Sequence, residues 1–335
     1  MRVVVAGGSG FLGSHLCEAL LRRGDGVCCL DDCSSGRAAN VAHLLGTAGF
    51  DFTPCDITAR FRVLGAVDAV VHLASPASPR DYQRRPLQTL AAGSRGTENL
   101  LELAVRHGAR LVLASTSEVY GDPEVHPQAE DYWGNVNPVG PRSVYDEAKR
   151  YAEALVMAYR RSQDADVGIV RIFNTYGPRM RAGDGRVVST FVRQALAGEE
   201  LTVFGDGSQT RSFCYADDMV RGLLAMLDSD RTGPFNLGNP VERTVRDLAE
   251  TVLLVTGSHS RLRFLPLPVD DPVRRCPVIT RARDELGWQP RVQLLEGLRR
   301  TLAWFVEQPD TVVRKWGRGD SRGHERPHRE LCPDQ

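Results

Sequence analysis

Val3-Val4-Val5-Ala6-Gly7-Gly8-Ser9-Gly10-Phe11-Leu12-Gly13 opens the chain. The first four residues are an apolar run, fit for a strand buried on both faces of a parallel sheet. Leu12, Leu16, Ala19 and Leu20 then recur at helical spacing. Between strand and helix the glycines have separate uses. Gly7 permits a tight turn, Gly10 lets backbone approach a pyrophosphate, and Gly13 lets helix pack against strand. The helix start at Phe11 and Leu12 offers free N–H groups and a positive dipole end to phosphates. A glycine-rich turn that binds nothing can show the same spacing, so the downstream sequence has to decide.

It points to a dinucleotide. Val27-Cys28-Cys29-Leu30 reads as a second strand ending at Asp31. An acid there can hold both adenosine ribose hydroxyls, which favours NAD over NADP, although Arg37 nearby is of the type that accepts a 2′-phosphate. Gly36 is placed with Asp31 in the cofactor set. Asp56-Ile57 follows a strand-like segment from Phe50 to Pro54, where an acid faces either the adenine amino group or solvent. Asp68 to Ser75 is a fourth strand, and Leu73-Ala74-Ser75 should pass under the nicotinamide half. His72 inside it reads as a packed core histidine, and Pro76 to Pro79 as a loop. Leu87 to His107 reads as a helix. Gly93 and Gly96 within it cost about 1 kcal/mol each relative to Ala, which implies a close approach or a loose first half.

The fifth strand, Leu111-Val112-Leu113-Ala114, runs into Ser115-Thr116-Ser117-Glu118-Val119-Tyr120-Gly121. Polar side chains thus gather where a parallel sheet opens toward its ligand crevice. A long Pro/Gly-rich loop, 121–142, is of the length that usually carries function. It delivers Tyr145-Asp146-Glu147-Ala148-Lys149, the start of a helix running to about Arg161. Tyr145 and Lys149 share one helical face. An ammonium near a phenol favours phenolate, which makes the tyrosine usable as a base near neutral pH. A sixth strand, Val167 to Phe173, precedes Asn174-Thr175-Tyr176-Gly177-Pro178. Helices are expected at 186–197, 217–227, 244–256 and 294–306, a strand at 201–204, and a constrained loop with Arg274 and Arg275 at 270–277.

The expected fold is α/β: a Rossmann-type doubly wound parallel sheet with a smaller α/β substrate-binding lobe. Residues 1–177, with return segments near 213–238, would form the NAD-binding domain. Residues 178–212 and 239–308 would form the lobe, and 309–335, poor in apolar spacing, a disordered tail.

Lys+Arg and Asp+Glu both total 42, so the net charge is zero. A nucleic-acid partner is not expected, since phosphate-binding surfaces show a basic excess. No run of about 18 apolar residues exists, so no membrane span is expected. The chain enters a strand at once, leaving no room for a signal peptide, and a cytoplasmic location is expected. The eight cysteines form no paired C-x-x-C framework, so neither disulfides nor a metal site is expected, and Cys332 reads as a tail thiol.

Longer strings are more specific. They are His72 to Pro79, Ala114 to Asp131, Tyr132-Trp133-Gly134, Arg171 to Met180, Asp184 to Ser189, and Gln209-Thr210-Arg211. Through them the chain resembles the extended short-chain dehydrogenase/reductases and, more closely, the UDP-glucuronate decarboxylases, over residues 1–308. The resemblance implies a reacting group of Thr116, Glu118, Tyr145 and Lys149, with Arg275 near the sugar carboxylate. It implies cofactor contacts that include Thr175, and substrate contacts from Ser117, Asn174, Arg186, Arg211 and Arg275. The implied reaction oxidises the sugar at C4, loses CO2 from the resulting β-keto acid, and reduces C4 again, turning UDP-glucuronate into UDP-xylose with NAD recycled. Two positions depart from the pattern: Ala91 stands where relatives carry a basic residue, and Gly93 where they carry asparagine. A 4,6-dehydratase is the rival, but it carries an aspartic acid where this chain has Ser117. A 4-epimerase usually lacks Glu118's carboxylate. A non-catalytic NAD-binding protein would not need the Thr116, Tyr145 and Lys149 set. Helices near 87–107 and 144–161 resemble those through which relatives form homodimers.

Overall fold

The computed structural model describes residues 1–268, 272 and 274–308. The apolar run at the N-terminus forms β1 (Arg2–Ala6), and the helix that follows the glycines is α1 (Phe11–Arg22). The chain continues through β2 (Gly26–Asp31), β3 (Phe50–Pro54) and β4 (Ala69–His72). Next come α2 (Pro79–Arg84), α3 (Pro86–Ala91), α4 (Thr97–His107), β5 (Arg110–Thr116), α5 (Ser143–Gln163), β6 (Val167–Ile172) and β7 (Thr175–Tyr176). The later part comprises α6 (Val187–Ala197), β8 (Leu201–Phe204), β9 (Thr210–Ser212), β10 (Cys214–Tyr215), α7 (Ala216–Leu227) and β11 (Phe235–Leu237). It ends with β12 (Glu242–Thr244), α8 (Val245–Thr256), β13 (Leu262–Leu265), β14 (Arg274–Arg275), α9 (Thr280–Leu286) and α10 (Leu294–Glu307).

Seven strands form one parallel sheet in the order β11-β6-β5-β4-β1-β2-β3. Strands this apolar must be covered on both faces. On one face α1 and α7 bury Leu16, Leu20, Met219 and Leu223 against Val3, Val5 and Val71. On the other, α4 and α5 bury Leu100, Leu101, Ala152 and Val156 against Val4, Val70 and Leu111. The strand order turns at β1, with β2 on one side and β4 on the other. At such a switch the carboxyl ends of parallel strands leave a crevice for a ligand.

A separate cluster built on Phe191, Leu201, Val203, Leu248 and Phe305 organises the remaining elements. Within them β9 pairs antiparallel with β12 and parallel with β14, which puts Arg275 beside Arg211 in register. Thr244 begins α8 with a reciprocal cap to Asp247.

The helix expected at 87–107 is interrupted by a π turn over 92–96. Its glycines serve close approach: a Cβ on Gly93 would lie 2.6 Å from the Ala148 carbonyl oxygen of α5. Ser78, in the loop expected at 76–79, caps α2, accepting from the Asp81 amide at 3.2 Å, and Pro79 already begins the helix. Asp270, Asp271 and Val273 of the expected constrained loop lie outside the described residues, as do Cys332 and the tail 309–335. Among the described residues no helix is long and apolar enough to cross a membrane, and no cluster could hold a metal ion. The described cysteines are all free.

Candidate active site

β5 is buried along its whole length and ends at Thr116. The chain then tightens into a 3-10 turn, Ser117–Tyr120, and the Thr116 hydroxyl accepts from the Glu118 amide at 3.2 Å. That turn sets Thr116, Ser117 and Glu118 on one wall of a cleft of about 910 Å³. The candidate catalytic, cofactor and substrate residues named from the sequence line this cleft, with Thr116, Ser117, Glu118, Tyr145 and Lys149 at its middle. At the cofactor end are Gly7, Gly10, Phe11, Leu12, Gly13, Asp31, Gly36, Asp56, Ile57, Leu73, Ser75 and Thr175, and toward the lobe Asn174, Arg186, Arg211 and Arg275. Arg37 is not among the described residues that line it.

The cofactor end has the shape a dinucleotide needs. A Cβ on Gly13 would overlap the Gly7 carbonyl, so α1 starts hard against the turn after β1. Amides in a helix's first turn have no intrahelical acceptor and are available to phosphate oxygens. Asp31 receives the Ser9 amide at 2.9 Å and the Cys33 amide at 2.8 Å, which fixes its carboxylate at the strand end. Burial raises its pKa above the usual carboxylate value. Asp56 is exposed and accepts from the Thr58 amide and hydroxyl, so its carboxylate also shapes its own turn. The residues present fit NAD.

Tyr145 and Lys149 lie one helical turn apart on α5, both buried. The Lys149 Nζ donates to the Ala114 carbonyl at 2.8 Å, tying the helix to β5, and lies 6.0 Å from the Tyr145 ring centre. Burial lowers the Lys149 pKa to about 8. The phenol is not lowered as the spacing suggested. Burial pushes it up to about 12, against the lowering effect of a hydrogen bond from the Thr116 hydroxyl. Desolvation of the anion, joined by the negative charges of Glu118 and Asp146, outweighs the Thr116 hydrogen bond and the Arg186 cation. Tyr82, from α2, stacks on Tyr145 with ring centres 5.3 Å apart and planes 7° apart.

Glu118 sits between two guanidiniums. Arg142 Nη2 donates to it at 2.7 Å, and the buried Arg275 forms an ion pair with its other oxygen. Arg275 also donates to the Gly121 carbonyl at 2.6 Å. Burial would raise the Glu118 pKa, but Arg275, then Arg142, hold it down at about 2. His72 is buried against Thr97, 3.1 Å away, and burial pushes its pKa down to about 3, which suits a neutral core histidine.

Arg142, Tyr82 and Asp146 were not singled out as site residues in the sequence. Arg142 carried one signal, its place at the end of the long loop just before α5. Tyr82 carried none, because its relation to Tyr145 exists only through packing. Ala91 lines the cleft, whereas Gly93 does not and packs on α5.

A family model described as the NAD dependent epimerase/dehydratase family matches residues 3–238. The UDP-glucuronic acid decarboxylase 1 of Danio rerio is 50% identical over 92% of this chain and 73% of its own length. The Arabidopsis thaliana protein of the same name is 50% identical over 91% of this chain and 70% of its own. Among solved structures, a UDP-glucose 4-epimerase from Thermotoga maritima with UDP-glucose superposes with a TM-score of 0.85 at 30% identity, covering 92% of this chain and 99% of that one. A dTDP-glucose 4,6-dehydratase from Streptomyces venezuelae with NAD bound gives 0.84 at 31% identity, covering 92% and 98%.

Proposed function

The chain belongs to the NAD-dependent epimerase/dehydratase family and, within it, to the UDP-glucuronic acid decarboxylases, and we propose that it converts UDP-glucuronate to UDP-xylose and CO2. The observation that carries this choice among the family's chemistries lies in the triplet after β5. Ser117 lines the cleft beside Thr116 and has no acidic proton to give a leaving hydroxyl, while Arg275, paired with Glu118, brings a cation to the lining of the same cleft. A dehydratase needs that acid; a decarboxylase needs only a ketone beta to its carboxylate.

The Gly7–Gly13 turn and Asp31 would hold NAD, which would supply hydride acceptance and return at sugar C4. The Tyr145 hydroxyl oxygen, as phenolate, removes the proton from the 4-hydroxyl, and Thr116 hydrogen-bonds the same oxygen. Lys149, held by Ala114, keeps a positive charge near the phenolate. Once C4 is a ketone, loss of CO2 places negative charge on the C4 oxygen, where Tyr145 and Thr116 can stabilise it by donating hydrogen bonds. Glu118, ionised between Arg142 and Arg275, orients Arg275 toward the sugar acid. Arg211 and Arg186, with Asn174, supply the nucleotide diphosphate contacts, for which a planar guanidinium fork is suited. Residues 1–177 with 213–238 serve the cofactor, and 178–212 with 239–308 the nucleotide sugar.

We also infer a homodimer joined through the α3–α4 and α5 helices, where Leu87, Leu90, Val105 and Tyr151 are exposed apolar residues. The function is tested by giving purified protein UDP-glucuronate and NAD. CO2 and UDP-xylose without net NADH are expected. Loss of water from a neutral hexose nucleotide, with no turnover of UDP-glucuronate, would replace this reading with a dehydratase.

A further inference from the structure

A second cavity, of about 270 Å³, lies behind the Glu118 wall. Glu118, Arg142 and Pro272 line both it and the main cleft, so these residues separate the two. Asp146 lines only the rear cavity. It is 5% exposed, and its Oδ1 has no hydrogen-bond partner in the structure. A buried carboxylate left in this way is costly, and polar cavities of this size hold water.

The reaction proposed above has a proton requirement that the Tyr145 chemistry does not meet. The bond from C5 to the carboxylate breaks, CO2 leaves, and the electron pair ends in a new C5–H bond, so one proton is consumed per turnover. Tyr145 takes a proton from the 4-hydroxyl and returns one to the same oxygen, a closed cycle. The proton for C5 must therefore enter from solvent.

We propose that Asp146 is the inlet for that proton, acting through the Glu118–Arg142 wall and not by touching substrate. Its carboxyl O–H bond breaks as the proton passes to the Glu118 carboxylate of the wall, the Glu118 O–H bond so formed breaks as the proton reaches C5, and water in the rear cavity reprotonates Asp146. The surroundings keep the carboxyl protonatable at working pH. Burial and the charge of Glu118 raise its pKa to about 7, Glu147 adds to this, and Arg142 and Arg275 act against it. Tyr82 and Tyr145 also lie within its field. The proposal rests on the decarboxylase reading.

The test compares the parent with Asp146→Asn, Asp146→Glu and Val136→Phe, the last narrowing the cavity without altering the carboxyl. For the parent, kcat should fall as pH rises through about 7. In Asp146→Asn, kcat should drop about 10²-fold and lose that limb, while bound NADH accumulates during turnover because C5 waits for its proton. Asp146→Glu should restore the limb, and Val136→Phe should lower kcat while keeping it. An Asp146→Asn enzyme with parental kcat, or with reduced kcat and the limb intact, overturns the proposal. If that variant does not fold, a parental rate for Val136→Phe overturns it. A parent that releases no CO2 overturns the decarboxylase reading and this inference together; a parent that releases CO2 beside an unaffected Asp146→Asn overturns the inference alone.

Discussion

The Arg275 guanidinium, carried on the two-residue strand β14, forms an ion pair with the Glu118 carboxylate in the turn that ends β5. The pair joins the small sheet to the mouth of the large one. Arg275 is buried and Glu118 largely so, and Arg275 together with Arg142 holds the Glu118 carboxylate ionised.

Arg275→Leu removes one of two cations from a buried carboxylate. Losing one partner of a buried pair costs about 3–5 kcal/mol. A denaturant midpoint shift of that size is expected, with CO2 release lowered by roughly 10²-fold or more as carboxylate positioning is lost. Unchanged unfolding would show that Glu118 is served well enough by Arg142.

Tyr145→Phe removes the hydroxyl proposed to handle the 4-hydroxyl proton but leaves the ring in place to stack on Tyr82. Turnover should fall about 10²–10⁴-fold, the range for removal of a general base. NAD affinity, read by fluorescence titration, should stay near that of the parent, and a lost NAD site would argue for a structural defect.

Lys149 makes activity and stability move in opposite directions with pH. Its folded pKa of about 8 means that the ammonium supporting the phenolate is lost above that pH, so kcat should decline again there, about one pH unit above the Asp146 limb and in Asp146→Asn as well as the parent. An unfolded lysine keeps its proton up to about pH 10.4. Between these values the unfolded chain binds the extra proton, so the lysine's contribution to stability rises with pH. Lys149→Met should remove the rise from chemical denaturation profiles of the cofactor-free protein.

Gly93→Asn adds a side chain where α5 packs closely on the π turn. Its Cβ would lie 2.6 Å from the Ala148 oxygen and 2.7 Å from the Ala148 Cβ. Overpacking of this kind costs about 1–3 kcal/mol, and a lowered Tm by calorimetry is the expected result. A raised Tm would mean that the π turn relaxes to accept the side chain.

Tyr151→Glu places a charge on the apolar surface of α5, where Tyr151 is 52% exposed. Sedimentation should show a dimer for the parent and a monomer for the variant. A parental monomer would overturn the proposed assembly.

What could be read along the chain was what depends on near neighbours. The β1 run and the glycines before α1 announced a parallel sheet and a nucleotide turn, because burial on both faces demands an unbroken apolar strand. Tyr145 and Lys149 could be paired because a helix turn places them together wherever the helix lies. The joining of the 3-10 turn to Arg142 and Arg275, the stacking of Tyr82 on Tyr145, and the rear cavity at Asp146 were not legible, since each requires segments distant in sequence to meet. The lowered phenol pKa expected from spacing also gave way to burial, a property of the folded molecule. The order of residues thus determined which chemical groups this protein has and which strands and helices carry them. The tertiary structure alone decided which charges share a dry space, and with that their ionisation, because desolvation and charge pairing act through space and not along the chain.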